Sequence, residues 1–244
     1  MSEAPLLEIT GVGKRFGGFI ALADIDLAVQ EGERVGLVGP NGSGKSTLVN
    51  CICGTLRNET GSVRFAGHTL EKLAAHERTR LGLARSFQLP RPFATMTLAE
   101  NLRVPILYAV NVRNGHAMTD IEGRCDELLR MVGLLEKAHR LPRDLTQIEM
   151  RKLELARAMA AEPRLLISDE AMAGLSHGEV DDILALLLKL NEQGVTIIMI
   201  EHIMRAVLAF SQRLVVLVAG RKIADGDPQA VVRQQDVVQA YLGS

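Results

Sequence analysis

Gly39-Pro40-Asn41-Gly42-Ser43-Gly44-Lys45-Ser46 is the stretch from which the rest of this chain can be read. It fits the pattern G-x-x-x-x-G-K-[ST], in which every residue type has a chemical task. Glycines let successive backbone N–H groups turn inward around phosphate oxygens. The helix that follows points its positive N-terminal end at the same anion. Lys45 reaches the β- and γ-phosphates of a nucleotide, and the Ser46 hydroxyl takes a place on Mg2+. The local context agrees. An aliphatic run, Arg34–Val38, leads into the loop, and Ser46–Cys53 is compatible with a helix. Gly39 to Ser46, with Thr47 beside them, are therefore candidate ATP-binding residues.

A phosphate cradle of this kind needs an acidic partner. Leu165-Leu166-Ile167-Ser168-Asp169-Glu170 supplies one. An aliphatic strand delivers Asp169 at its C-terminal end, where open α/β sheets place their ligands. Asp169 is expected to hold Mg2+ through water, and Glu170 to polarise the attacking water. Taken alone, Asp-Glu after a strand equally describes solvated turn charges. The Gly-rich loop upstream selects the catalytic reading.

Working outward, Leu6–Thr10 and Ile25–Val29 alternate apolar and polar positions, with Gly-rich turns expected at Gly11–Gly18 and Glu31–Glu33. Val63–Phe65 and Ala84–Phe87 read as further strands. From about Pro90 to Ala160 the spacing becomes helical, in Leu98–Arg103, Asp120–Val132 and Thr146–Ala161. Strands return at Leu165–Ser168, Thr196–Ile200 and Leu214–Val218, with an amphipathic helix, Glu179–Gln193, stopping before Gly194. Strand, helix, strand with aliphatic strands marks a parallel α/β sheet. The expectation is one domain over 1–244. A P-loop NTPase core, with a parallel sheet and helices, spans 1–88 and 162–244. It carries an N-terminal antiparallel β subdomain, and a helical subdomain is inserted at about 89–161.

Composition narrows the function classes. The formal net charge is −1 over 244 residues, so no bulk pull toward nucleic acid or an anionic membrane is expected. There is no Trp and only two Tyr and six Phe, too few for a base-stacking platform. No apolar run reaches the ~20 residues that span a bilayer; the longest, around Ile183–Leu188, is closed by Asp182 and Lys189. The Met1–Pro5 start lacks the basic and apolar regions of a secretory leader. Cys51, Cys53 and Cys125 form an odd, sparse set that suits a reducing cytoplasm. With no second pair to complete a metal site, Cys51 and Cys53 read as small buried residues on a helix.

With these motifs in place, the chain resembles the ABC-transporter ATPase family over almost its whole length. Phe16, in Lys14-Arg15-Phe16, looks like the aromatic that stacks on adenine. Gln88, in Arg85-Ser86-Phe87-Gln88, looks like the loop glutamine that joins core to helical lobe and approaches Mg2+. Ala173-Gly174-Leu175-Ser176 sits where the family has its dimer-contact loop. His202, in Ile200-Glu201-His202, matches the switch histidine that contacts the γ-phosphate. Phe16-Gly17-Gly18, Arg85 to Gln88, Ile200 to Met204 and the ending Ala240-Tyr241-Leu242-Gly243 resemble importers of branched-chain and other hydrophobic amino acids. Lipopolysaccharide-export ATPases end similarly and remain an alternative. A nucleic-acid or ribosome ATPase is the other, disfavoured by the single P-loop and the missing basic stripe.

The resemblance implies ATP and Mg2+ as cofactors, catalytic roles for Lys45, Glu170 and His202, and Mg2+ contacts from Ser46, Gln88 and Asp169. It implies membrane-spanning permease subunits as partners, a second ATPase subunit, indirectly an external substrate-binding protein, and no nucleic acid. It places the chain in the cytoplasm, peripheral on the membrane's inner face, with Leu89–Arg103, and Arg91 in it, meeting the permease.

Three positions depart from the family. Ala171 stands for a usual Pro and Ser176 for a usual Asp or Asn. The signature segment, normally near Leu-Ser-Gly-Gly-Gln, reads Leu145-Thr146-Gln147-Ile148-Glu149. Thr146 can still offer a hydroxyl to a nucleotide. Thr146-x-x-Glu149 is also a capping box, so Glu149 is expected to fold back on the Thr146 N–H and to set a like charge near the γ-phosphate. Ile148 is expected to obstruct close backbone approach. A weak half-site and a heterodimer follow.

Overall fold

The computed structural model describes residues 4–87 and 89–242. Among the described residues ten strands and ten α-helices follow one another, beginning with β1 (Leu7–Phe16), β2 (Phe19–Val29), β3 (Arg34–Val38), α1 (Lys45–Cys53), β4 (Thr60–Phe65), β5 (His68–Thr69), α2 (Ala75–Arg80) and β6 (Leu83–Ser86). Then come α3 (Leu98–Pro105), α4 (Asn111–Asn114), α5 (Ile121–Met131) and α6 (Gln147–Met159). The last part holds β7 (Leu165–Asp169), α7 (His177–Glu192), β8 (Thr196–Ile200), α8 (Met204–Phe210), β9 (Arg213–Val218), β10 (Arg221–Gly226), α9 (Pro228–Val231) and α10 (Gln235–Leu242).

The central sheet has the order β10-β9-β3-β8-β7-β6, parallel throughout except where β10 turns back on β9. Its inner strands are buried along their length because both faces are covered. Alternation decides which cover each residue meets. Ile197 and Met199 of β8, Leu166 of β7 and Leu214 and Val216 of β9 join one core with α5 to α8. Ile198, Ile200, Leu165, Ile167, Val215 and Leu217 join the other, with α1 and the first strands. Those first strands form a separate antiparallel sheet, β2-β1-β4-β5. The N-terminal antiparallel unit and the helix-covered sheet expected from sequence are both present; the central sheet is mixed at one edge.

One turn differs from the sequence expectation. The segment expected to turn at Gly11–Gly18 is strand as far as Phe16, and only Gly17–Gly18 turn. Gly11 has φ +59 and breaks the register with both neighbours, and its N–H is satisfied by Asp26 Oδ1 at 2.7 Å. The glycine therefore makes a bulge inside a strand, not an end to it. Residues 98–159 carry the helices between β6 and β7. There, α3 runs through Pro105 into a π-helical turn, Ile106–Val110.

Candidate functional site

The loop Gly39–Gly44 leaves the C-terminal end of β3 and enters α1 with Gly44 as N-cap at φ +104. A Cβ at Gly44 would stand 2.6 Å from the Ala21 carbonyl oxygen. Only glycine fits, because β2 passes that close. The loop is held in place by its surroundings: the Ser43 N–H donates to Pro40 O at 3.2 Å and the Gly220 N–H to Ser43 O at 3.0 Å. Lys45 Nζ folds over the loop, donating to Gly39 O at 2.6 Å, Pro40 O at 3.1 Å and Ser43 Oγ at 3.4 Å. Burial pushes the Lys45 ammonium down from the usual lysine range, and the carboxylates of Glu170 and Asp169 pull it back up. A cation thus waits on backbone carbonyls beside a helix N-terminus, whose N–H groups and positive end suit an anion.

A cleft of about 210 Å³ lies over the loop and is lined by Phe16, Phe19, Ala21, Asn41 to Thr47, and Glu170. Phe16 ends β1 and faces Phe19 across the β1–β2 hairpin; the two rings are 49% and 60% exposed. Exposed aromatic rings beside a phosphate cradle suit a planar base. Phe19 was not anticipated, since nothing in its neighbourhood distinguishes it until the hairpin pairs it with Phe16.

Asp169 is the last residue of β7 and Glu170 follows it in a left-handed backbone conformation, φ +47. The Glu170 N–H donates to Ile200 O at 2.9 Å. This ties the ends of β7 and β8 together, so His202, two residues past β8 and exposed, emerges at the same sheet edge as Glu170 and the loop after β3. Gly39, Pro40, Asp169 and His202 do not themselves line the cleft. Asp169 is buried, with Oδ2 2.5 Å from an Arg85 guanidinium nitrogen. Gln88 lies outside the described residues. Ser46 and Asp169 offer only oxygen, the chemistry of a hard divalent cation. Among the described residues no cluster of three or more His, Cys, Asp or Glu could hold a metal ion. Cys51 and Cys53 are buried on α1, and Cys53 is pushed up to about 12 by burial.

Thr146 stands apart from this cleft as the N-cap of α6. The capping box is present: Thr146 N–H donates to Glu149 Oε2 at 2.9 Å and Glu149 N–H to Thr146 Oγ at 3.4 Å. Two expectations need correction. Glu149 is no bare charge, because Lys137 Nζ pairs with its Oε1 at 2.6 Å. That bond, with the Thr146 N–H second, holds the Glu149 carboxyl below the usual range. Ile148 is not an obstruction on the loop; it is half-buried against the helical core. Gln147 points elsewhere, its Nε2 donating to Ala173 O at 3.4 Å in the loop before α7. Ser176 caps α7 and donates both its N–H and its hydroxyl to Glu179.

A second cavity, about 320 Å³, opens between core and helices, with Phe87, Phe93, Tyr108, Arg85, Glu154 and Arg157 among its lining. Arg91 is exposed beside it and its carbonyl accepts from Arg157 at 3.0 Å. At the other end of the chain the Tyr241 hydroxyl is hydrogen-bonded to the Gly39 backbone, so α10 touches the first glycine of the loop. Among the described residues no helix is long and apolar enough to cross a membrane.

Comparison with known proteins converges on one group. The family described as "ABC transporter" matches residues 22–173, and "Branched-chain amino acid ATP-binding cassette transporter" matches residues 221–244. The high-affinity branched-chain amino acid transport ATP-binding protein BraF of Pseudomonas aeruginosa is 38% identical, covering 98% of each chain. The corresponding LivG protein of Escherichia coli K12 is 35% identical, again over 98% of each chain. A nucleotide-free ATP-binding cassette from an ABC transporter superposes with TM-score 0.87 at 29% identity, covering 98% of this chain and all of that one.

Proposed function

The chain belongs to the ABC transporter family, and from that premise we propose that it is the ATP-hydrolysing subunit of an importer of branched-chain amino acids. The observation that carries the ATPase reading is the cleft in which Asn41 to Thr47 and Glu170 face the same space beside Phe16. The match of residues 221–244 to the branched-chain group supports the cargo class.

In this reading Phe16 stacks on adenine, and the N–H groups of Gly42 to Thr47 and Lys45 Nζ hold the phosphates. Ser46 and Asp169 would hold Mg2+, which normally takes one or two carboxylates and keeps waters and substrate phosphates. When bound, that ion neutralises charge on the β- and γ-phosphate oxygens. Glu170 accepts the proton of the attacking water, and His202 donates to the γ-phosphate. Lys45 must release Gly39 O and Pro40 O to reach the phosphates; its three present bonds hold it at the loop until then.

The output is conformational. Two such subunits close on ATP and reopen after hydrolysis, and the cargo is never touched by this chain. The groove lined by Phe87, Phe93 and Tyr108, with Arg91 at its side, receives a cytoplasmic loop of a permease, which keeps the subunit at the membrane's inner face. The internal capping of Thr146 and Glu149 favours a heterodimer, in which a partner's intact signature loop completes the site at Lys45 and Glu170. The test is uptake of labelled leucine, isoleucine and valine by membranes carrying the chain with its permease. Glu170→Gln should retain ATP binding and abolish uptake. Undiminished uptake would refute the reading.

A further inference from the structure

We propose that Arg85 is a positioning residue for the Asp169 carboxylate, a role that deepens the nucleotide-binding reading and rests on it. Arg85 lies on β6, the edge strand beside β7, with Arg85 paired to Ile167 and Ser86 to Ser168 in parallel register. One side of its guanidinium reaches Asp169 Oδ2 at 2.5 Å. The other reaches Asn50 Oδ1 at 2.7 Å. Its central carbon lies 5.3 Å from the centroid of the Phe87 ring. The Arg85 and Asp169 side chains are only 13% and 8% exposed, so the bond is sheltered from competing water.

Each anchor belongs to a different part of the site. Asn50 is on α1, the helix that starts with Lys45 and Ser46. Asp169 ends the acidic strand. Phe87 lines the groove between core and helices, which Arg85 also borders. Arg85 is thus a strut between the phosphate loop's helix and the acidic strand end, with its third contact on the groove wall. An Asp carboxylate turns broadly and nearly two-fold about its last torsion. Holding one oxygen fixes where the other points. A bidentate-capable, always-charged group bridging two acceptors does this in a way that lysine cannot. Outer partners of this kind set how well a carboxylate serves a metal ion, and their loss costs roughly 10–100-fold in metal affinity.

A salt bridge with only a structural role would change folding stability and leave the cation-dependent step alone. The test separates these. The purified full chain is titrated with a fluorescent ATP analogue in EDTA, and the complex is then titrated with Mg2+. Arg85→Gln should leave the EDTA affinity within about twofold of the native value, because Lys45 and the loop are untouched. It should raise the Mg2+ half-saturation concentration about tenfold. Asn50→Ala keeps the ion pair but frees one side of the guanidinium, and should raise it about threefold, the worth of one hydrogen bond. Arg85→Lys should fall between native and Arg85→Gln. If Arg85→Gln does not fold, Asn50→Ala and Arg85→Lys carry the test. Native Mg2+ half-saturation in these variants, or a tighter one, would overturn the proposal. A native chain that binds no nucleotide would overturn the underlying ATPase reading instead.

Discussion

Replacing Thr146→Ser, Gln147→Gly, Ile148→Gly and Glu149→Gln together should convert this chain from a poor self-partner into an ATP-dependent homodimer. In the proposed sandwich a partner's γ-phosphate meets the N-terminus of α6. There the N–H groups of Thr146 and Glu149 are already bonded within the box, and Glu149 is further held by Lys137. The cheapest route to engagement displaces the Glu149 carboxylate. That forfeits a helix cap, about 1 kcal/mol, and a partly exposed ion pair, about 0.5 kcal/mol. The penalty is therefore about 1.5 kcal/mol per half-site, roughly tenfold in affinity. A symmetric dimer incurs it twice, giving about a hundredfold. The assay is sedimentation velocity with saturating Mg·ATP in a Glu170→Gln background, which blocks turnover. The four-residue variant should dimerise at concentrations about a hundredfold lower than the native loop. Its melting temperature should be followed, since Ile148 leaves the helical core. Equal dimerisation of both loops would refute the reasoning and, with it, the preference for a heterodimer.

Lys45→Ala deletes a charge-assisted contact to phosphate and should weaken ATP binding by roughly 10–100-fold in a calorimetric titration; unchanged affinity would contradict the site. Arg78→Met should destabilise the fold by about 3 kcal/mol in urea denaturation, because it orphans several acceptors at once. The buried Arg78 guanidinium donates to Cys51 O at 2.7 Å and Ile52 O at 2.8 Å, at the end of α1, and to Leu70 O at 2.7 Å. Glu201→Gln has a signed pH dependence. Burial raises the Glu201 carboxyl above its ordinary value, against the Met172 N–H that it accepts at 2.8 Å. Its contribution is full below the unfolded carboxyl pKa and is lost as pH rises through the folded one. The variant's stability relative to the native chain should thus increase as pH rises above the ordinary carboxyl range; a constant difference between urea midpoints would exclude it.

What could be read from sequence was local or periodic. The phosphate loop is eight consecutive residues whose types are set by backbone geometry and charge. The box at Thr146 and Glu149 is one helical turn. The aliphatic runs at Leu165 and Thr196 announce strands covered on both faces. What could not be read depends on residues far apart in the chain. Lys137 meets Glu149 across 12 positions, beyond the reach of a single helical turn. Arg85 meets Asp169 across 84 positions, through parallel pairing of β6 and β7. Gly11 looked like a turn because a glycine that bulges a strand and one that ends it have the same composition. Phe19 became a site residue only once the hairpin set it opposite Phe16.

These long-range contacts converge on the segment after Glu170. A non-glycine residue at φ +47 is unfavourable by about 1–3 kcal/mol and persists only where its surroundings fix it. Here the Glu170 N–H is held by Ile200 O, and two residues on, the Met172 N–H is held by the buried Glu201 carboxylate. Both anchors belong to the end of β8, the strand that delivers His202. The next residue is held from the opposite direction. Ala173 O accepts from Gln147 Nε2 at 3.4 Å and from Arg151 at 3.5 Å, both on α6. The segment carrying the candidate base is thus clamped by the sheet on one side and by the signature helix on the other. A rotation of the helical layer against the sheet must drag Ala173 or break its bonds, and either result changes how Glu170 is held. The groove at Phe87 and Phe93 is lined by residues of both layers, so in the proposed reading a loop that fills it would act on any such rotation. Under the proposed function, coupling between a permease loop and ATP turnover would therefore need no contact between that loop and the nucleotide.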